Sequence, residues 1–255
     1  MQQLTTHPFS LFVLSLFVMC FGAWLGVRAV RRSGPLSEEV REDFGVVRSA
    51  ALTLLALVIG FSLSMAVGRY DQRKNYEEEE ANAIGTEYLR ADLLPAAQAA
   101  NVRALLRQYI DLRIRFYQLG HGDELERINA TTAQVQARLW DATRAGASAQ
   151  PNPVSALAVA GMNDVINTQG YTQAAWWNRI PKSAWMLMLV VGFACNVLVG
   201  YGALSARPSR VFLLTMPLIV SISFTLIADI DSPRNGIIRV QPQNLLSTAE
   251  SLPKP

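Results

Sequence analysis

The 255-residue chain is poor in the side chains that carry most covalent and metal chemistry. It has two cysteines, Cys20 and Cys195, and two histidines, His7 and His121. Two thiols so far apart in sequence build neither a disulfide framework nor a zinc site. Each sits in an apolar run, where cysteine serves as a small apolar filler. The histidines are isolated and read as terminal or loop residues. No P-loop, nucleophile elbow or His/Cys/carboxylate constellation occurs. Accordingly no catalytic residue, cofactor or metal is expected, and an enzyme is the least favoured class. Charge is scarce as well. Charged residues make up 17% of the chain and the net charge is +3. That is too little for a phosphate-binding face, so nucleic acid is excluded as a partner although the pI is near 9.0.

Apolar sequence is abundant. Hydrophobic residues make up 51% and the mean hydropathy is +0.19. Four runs without any charge, 8–27, 49–68, 183–206 and 211–228, hold about a third of the residues. A helix crossing ~30 Å of hydrocarbon needs about 20 apolar residues, and only a helix satisfies its own backbone in lipid when no barrel pattern is present. The first run is expected to be a retained span rather than a cleaved leader, since no basic residue precedes Pro8 while Arg28, Arg31 and Arg32 follow the run. The expected fold class is all-α: a multi-pass membrane protein with four spans. Residues 1–68 would form the first helix pair, 69–182 a helical extramembrane domain, 183–228 the second pair, and 229–255 a tail. The short loops 28–48 and 205–210 carry seven basic residues against three after Ala228, which favours an exported middle domain. Adding Arg69, Arg73, Lys74, Arg179 and Lys182 to the three makes eight and leaves orientation open.

Residues 69–182 hold 13 basic and 13 acidic side chains. Val102, Leu105, Leu106, Tyr109, Leu112 and Phe116 follow one helix face, and Leu125, Ile128, Thr132, Val135 and Leu139 another. Asp123 and Glu126 have capping-box spacing at the start of the second helix, and Gly146 is expected to end it. Pro153 would open a third helix carrying Val154, Leu157 and Gly161. Trp176 and Trp177, just before Lys182, read as an interfacial aromatic belt.

The second span lacks a stop. From Ser49 to Leu94 there is no proline, so one helix would run from lipid into water, bearing RYDQRKNYEEEEANAIGTEYLRAD. Taken alone, this acidic stretch is a solvated, self-paired helix face. Repeated around an axis, it becomes a charged collar at the mouth of a pore. Glu77, Glu80 and Glu87 share one face and are the vestibule candidates; Asp71 and Glu78, seven apart, share another. No charged residue lies mid-membrane, which argues against a proton-coupled pump. After the fourth span, Asp229 and Asp231 in ADIDSPRNG could hold a hard cation, but Pro233 breaks the calcium-loop pattern. A capped helix end followed by a turn is the favoured reading.

These motifs resemble those of the bestrophin-like membrane proteins, a bacterial group related to the bestrophin anion channels. The resemblance rests on GFSLSMAVGRYDQRKNYEEEEANAIGTEYLRADLLP (60–95), GMNDVINTQGYTQAAWWNRIP (161–181) and ADIDSPRNG (228–236), and spans most of the chain from Arg48 to Leu246. It implies a homopentamer in the bacterial inner membrane, surrounded by lipid, with second spans lining a central pore and the helical domain in the cytoplasm. Ile59 and Leu63 would be the nearest counterparts of the family's pore neck, followed by Ala66 and Tyr70. The four consecutive glutamates sit badly with anion conduction, because fixed negative charge repels anions. The first expectation is thus an ion channel subunit, with Glu80→Gln altering selectivity. The rival is a membrane-anchored sensor or scaffold whose 69–182 domain binds a partner.

Overall fold

A computed structural model describes residues 8–34, 37–203 and 210–253; His7 and the 204–206 end of the third apolar run lie outside them. Eight α-helices follow in order, with no strand among the described residues: α1 Pro8–Ser33, α2 Glu38–Arg90, α3 Ala96–Gln118, α4 Asp123–Ala149, α5 Ser155–Trp177, α6 Lys182–Tyr201, α7 Arg210–Asp231 and α8 Gln243–Ser251. Four helices carry a stretch long and apolar enough to cross a membrane. The chain divides into two compact units. One comprises the residues up to Gly68 together with Arg179–Ile238; the other is Arg69–Asn178 together with Arg239–Pro255.

The second helix is longer than its apolar run. It has 53 residues, with Glu38 and Glu39 in its first turn and Arg90 in its last. Acid at the N-terminus and base at the C-terminus both complement the helix dipole. At 1.5 Å per residue its length is about 80 Å, well over twice the hydrocarbon thickness. Residues 38–48 therefore belong to this helix rather than to a loop. It ends in a 3-10 turn, Ala91–Leu93, just ahead of Pro95.

In the first unit, α1 packs against α6 and α7. The buried side chains are small or mildly polar as often as they are large. Ser15, Ala23, Ser62, Ala66, Cys195, Asn196 and Ser221 are buried, while Phe9, Phe17, Phe61, Leu187, Val190 and Ile222 are exposed. Such an inverted distribution suits lipid, where large apolar groups gain nothing by hiding and small residues let helices approach. The Asn196 amide finds acceptors within the bundle: Nδ2 donates to the Gly192 carbonyl at 2.8 Å and to Met19 Sδ at 3.3 Å. Backbones approach closely where α1 crosses α6. A Cβ on Gly26 would overlap the Val197 carbonyl and lie 2.6 Å from the Tyr201 nitrogen, and one on Gly200 would strike the Ala23 carbonyl.

The second unit is a water-type bundle in which α3 packs on α4 and α4 on α5. All six residues of the expected α3 face are buried, as are Ile128, Thr132, Val135 and Leu139 of α4. Several local expectations fail, each for a visible reason. The N-cap of α4 is Gly122, and no side chain caps it. The Gly122 carbonyl instead accepts from the Leu125 and Glu126 amides. Gly146 does not end α4. It is a contact point, where a Cβ would lie 3.0 Å from Gln98 Cβ. Pro153 precedes α5 by two residues, and Asn152 Oδ1 accepts from the Val154 and Ser155 amides, both at 2.8 Å. The buried stripe of α5 is Ala158, Gly161, Met162 and Val165, whereas Val154 and Leu157 are exposed. Trp176 is not part of an interfacial belt. It lies in the core against Phe116 and Tyr117, at ring separations of 5.0 and 5.3 Å, while Trp177 is exposed.

Gly26→Ala and Gly200→Ala are each expected to destabilise the first unit by ~1–3 kcal/mol or more through overpacking. Gly60→Ala, with open space at its Cβ position, is expected to leave the thermal midpoint of the detergent-solubilised protein unchanged.

Candidate functional site: the two faces of α2

In the first unit α2 buries Leu55, Ser62 and Ala66 and exposes Leu57, Phe61 and Ser64. In the second unit it buries Arg73, Glu77, Glu80, Ile84 and Glu87 and exposes Asp71, Asn75, Glu78 and Asn82. Each set repeats at alternating steps of mostly three and four, one helix face apiece. All the positions 57, 61, 64, 68, 71, 75, 78 and 82 are exposed.

This placement revises the candidate residues. Ala66 is fully buried inside its own bundle, and Ile59, Leu63 and Tyr70 are half-buried. Tyr70 packs against the core of the second unit. Glu77, Glu80 and Glu87 are 0–1% exposed, so the vestibule reading of these three gives way. Their face also carries Ala81, Ile84 and Ala91, and packing that apolar stripe takes the carboxylates in with it.

Burying a carboxylate requires donors, a counter-ion or a proton. The three glutamates meet the requirement differently. Glu80 pairs with the fully buried Arg113, whose Nε donates to Oε1 and whose Nη2 lies 3.4 Å from Oε2. The Thr172 hydroxyl adds a donor at 3.3 Å. The guanidinium also lies 4.3 Å from the centre of the Phe116 ring. Burial is the largest single influence and works against the Arg113 charge, yet Glu80, Tyr109 and Tyr117 together hold the guanidinium above its ordinary range. Burial, reinforced by Glu80, pushes the Tyr109 and Tyr117 hydroxyls up, so both remain neutral.

Glu77 fixes the C-terminal helix. Its Oε1 accepts from the Leu245 amide at 2.9 Å and its Oε2 from Asn244 Nδ2 at 2.7 Å, at the start of α8. Burial raises its pKa, and these donors at a helix N-terminus partly offset the rise. Glu87 has neither arrangement. Among the described residues, no donor reaches either of its oxygens.

Asp229 and Asp231 are used by the backbone. Asp229 accepts from the Ile237 and Ile238 amides at 2.7 and 2.9 Å, and Asp231 from the Ile180 amide at 3.1 and 3.2 Å. They brace the turn after α7, as the turn reading expects. Among the described residues no three His, Cys, Asp or Glu side chains converge on a common point. A depression of about 300 Å³ between α2 and α8 is lined by Asn82, Gly85, Thr86, Tyr88, Thr248 and Ser251, together with apolar neighbours. No charged side chain lines it, so it offers no anchor for an ionic ligand.

Four apolar helices, small and polar residues turned inward and large apolar ones outward define a multi-span helical membrane protein. A family model for the Bestrophin-like domain matches residues 12–245, and the chain belongs to that family. Its fold is similar to that of a bacterial bestrophin homologue from Klebsiella pneumoniae, with a TM-score of 0.62 at 13% identity over 94% of this chain and 99% of that one. A mutant form of that homologue gives a TM-score of 0.62 at 13% identity, covering 93% of this chain and 98% of that one. Another mutant membrane protein gives 0.63 at 13% identity, covering 93% of this chain and 98% of that one. No curated protein matches the sequence.

Arg113→Met leaves the Glu80 charge buried without its counter-ion and is expected to cost ~3–5 kcal/mol. The double variant E80Q/R113M is expected to recover much of that loss in chemical denaturation of the detergent-solubilised protein, because neither charge then remains.

Proposed function

We propose that the protein is the subunit of an oligomeric ion channel whose pore is lined by the exposed stripe of α2. The family membership and the fold support a channel. The observation that carries the pore assignment is the division of α2 itself. One stripe is committed to its own subunit, and the stripe opposite it runs exposed from Leu57 to Asn82.

The composition of that stripe favours water over lipid along much of its length. Leu57 and Phe61 give way to Ser64 and Gly68 and then to Asp71, Asn75, Glu78 and Asn82. Within the span itself the change from Leu57 and Phe61 to Ser64 and Gly68 is toward small and hydroxyl residues, and the charged positions lie beyond it. The two bulky residues make an apolar constriction, which gates by excluding water. Asp71 and Glu78, repeated in each copy, form two acidic rings, and fixed negative charge raises the local concentration of cations. Selectivity for cations therefore falls to these two residues rather than to Glu80. By resemblance, five copies complete the ring.

Purified protein in planar bilayers is expected to conduct cations in preference to anions. Asp71→Asn combined with Glu78→Gln should move the reversal potential in a salt gradient toward that of the anion, while Glu80→Gln should not. The detergent-solubilised particle is expected to contain five subunits. A monomer without conductance, after confirmed insertion, would overturn the proposal and leave the second unit as a membrane-anchored partner-binding scaffold.

A further inference from the structure

Glu87 is the one buried carboxylate of α2 that the bundle leaves without donors. It is fully buried, and among the described residues neither oxygen has a hydrogen-bond partner. It lies at a close approach of α2 to α5. A Cβ on Gly161 would overlap Glu87 Oε2 and lie 2.6 Å from Arg90 Nη1. The charged groups that act on it are Arg90, one turn further along α2, and Asp164, one turn beyond Gly161 on α5. Arg103, from α3, is engaged elsewhere, pairing with Asp92 and donating to the Tyr88 carbonyl at 3.3 Å. Burial without a donor, which Arg90 only partly offsets and Asp164 reinforces, suits a neutral acid.

We propose that Glu87 is a proton-operated latch between α2 and α5, closed while its carboxyl is neutral and loosened when it ionises. With the proton in place, the acid packs as an uncharged group against the Gly161 backbone. Loss of the proton leaves an unsolvated anion beside Asp164, and relief requires either a swing of Arg90 toward it or the entry of water between the helices. The entry of water separates α2 from α5. Burial is the main cause that pushes the Glu87 pKa up to about 8; Asp164 adds to the rise and Arg90 opposes it. The latch thus works near neutral pH. The link to conduction rests on the pore reading, since α2 is the proposed pore helix; the latch itself does not.

The sign of the stability effect follows from proton counting. Between the ordinary glutamate value of 4.5 and about 8, the folded chain holds a proton that the unfolded chain has released. Stability therefore falls as pH rises through that window and levels off above it. Glu87→Gln keeps the neutral shape and removes the titration. Three measurements on the full-length protein test the latch. The wild-type protein should show an infrared carboxylic-acid C=O band that disappears with a midpoint near pH 8, and E87Q should lack it. The thermal midpoint of wild type relative to E87Q should fall between about pH 5 and pH 8 and then stay constant. Spin labels at Thr86 and Asn163, with Cys20 and Cys195 replaced, should show a distance distribution that broadens above pH 8 only when Glu87 is present. A carboxyl that titrates below pH 6, or an inter-helix distance indifferent to pH, would overturn the proposal. If E87Q does not fold, the wild-type titration and distances decide. Absence of current at every pH would remove the pore reading and leave these three results as they stand.

Discussion

One stripe of α2 is already spent. Leu55, Ser62, Ala66, Glu77, Glu80 and Ile84 are held by neighbours within the same chain, and a helix turned so fully inward on one side has only its opposite side to offer. That restriction gives the exposed stripe its meaning. It also explains why a charge-rich segment continues the helix without a break: its buried face gains from packing, and dipole-complementing residues stand at both ends.

The buried acids show three ways of keeping a carboxylate out of water. Glu80 is neutralised by Arg113, Glu77 is satisfied by the amide and side-chain donors at the start of α8, and Glu87 is left to hold a proton. Ion pairs of the first kind add little net stability against an apolar substitute, but losing one partner is costly. Their contribution is to fix how α2, α3 and α5 align, because the fork of a guanidinium accepts few geometries. The second kind ties a segment 167 residues away in sequence to the same helix.

Much of the architecture was legible from hydropathy and periodicity alone. The four apolar stretches are long and unambiguous, and the α3 face from Val102 to Phe116 has a clean helical repeat. Local punctuation was less legible. Gly146 has the composition of a stop, yet its meaning is set by Gln98 on another helix, which no local pattern reveals. Trp176 and Trp177 are identical neighbours in sequence, but a rotation of about 100° puts one in the core and the other outside. The site was half visible. Glu77, Glu80 and Glu87 share a stripe with the buried Ala81, Ile84 and Ala91, which the acidic spacing alone does not reveal. The exposed register was present in the seven-residue interval between Asp71 and Glu78. Extended backward by the same interval, it reaches Ser64 and Leu57.

Cysteine scanning of α2 tests the two-faced helix most directly. In a background lacking Cys20 and Cys195, single cysteines at Leu57, Phe61, Ser64 and Gly68 would be exposed to a charged, membrane-impermeant thiol reagent while current is recorded, alongside cysteines at Leu55, Ser62 and Ala66. The account predicts modification and block along the first set and none along the second. Reaction at positions 55, 62 and 66 with silence at 57, 61, 64 and 68 would contradict it.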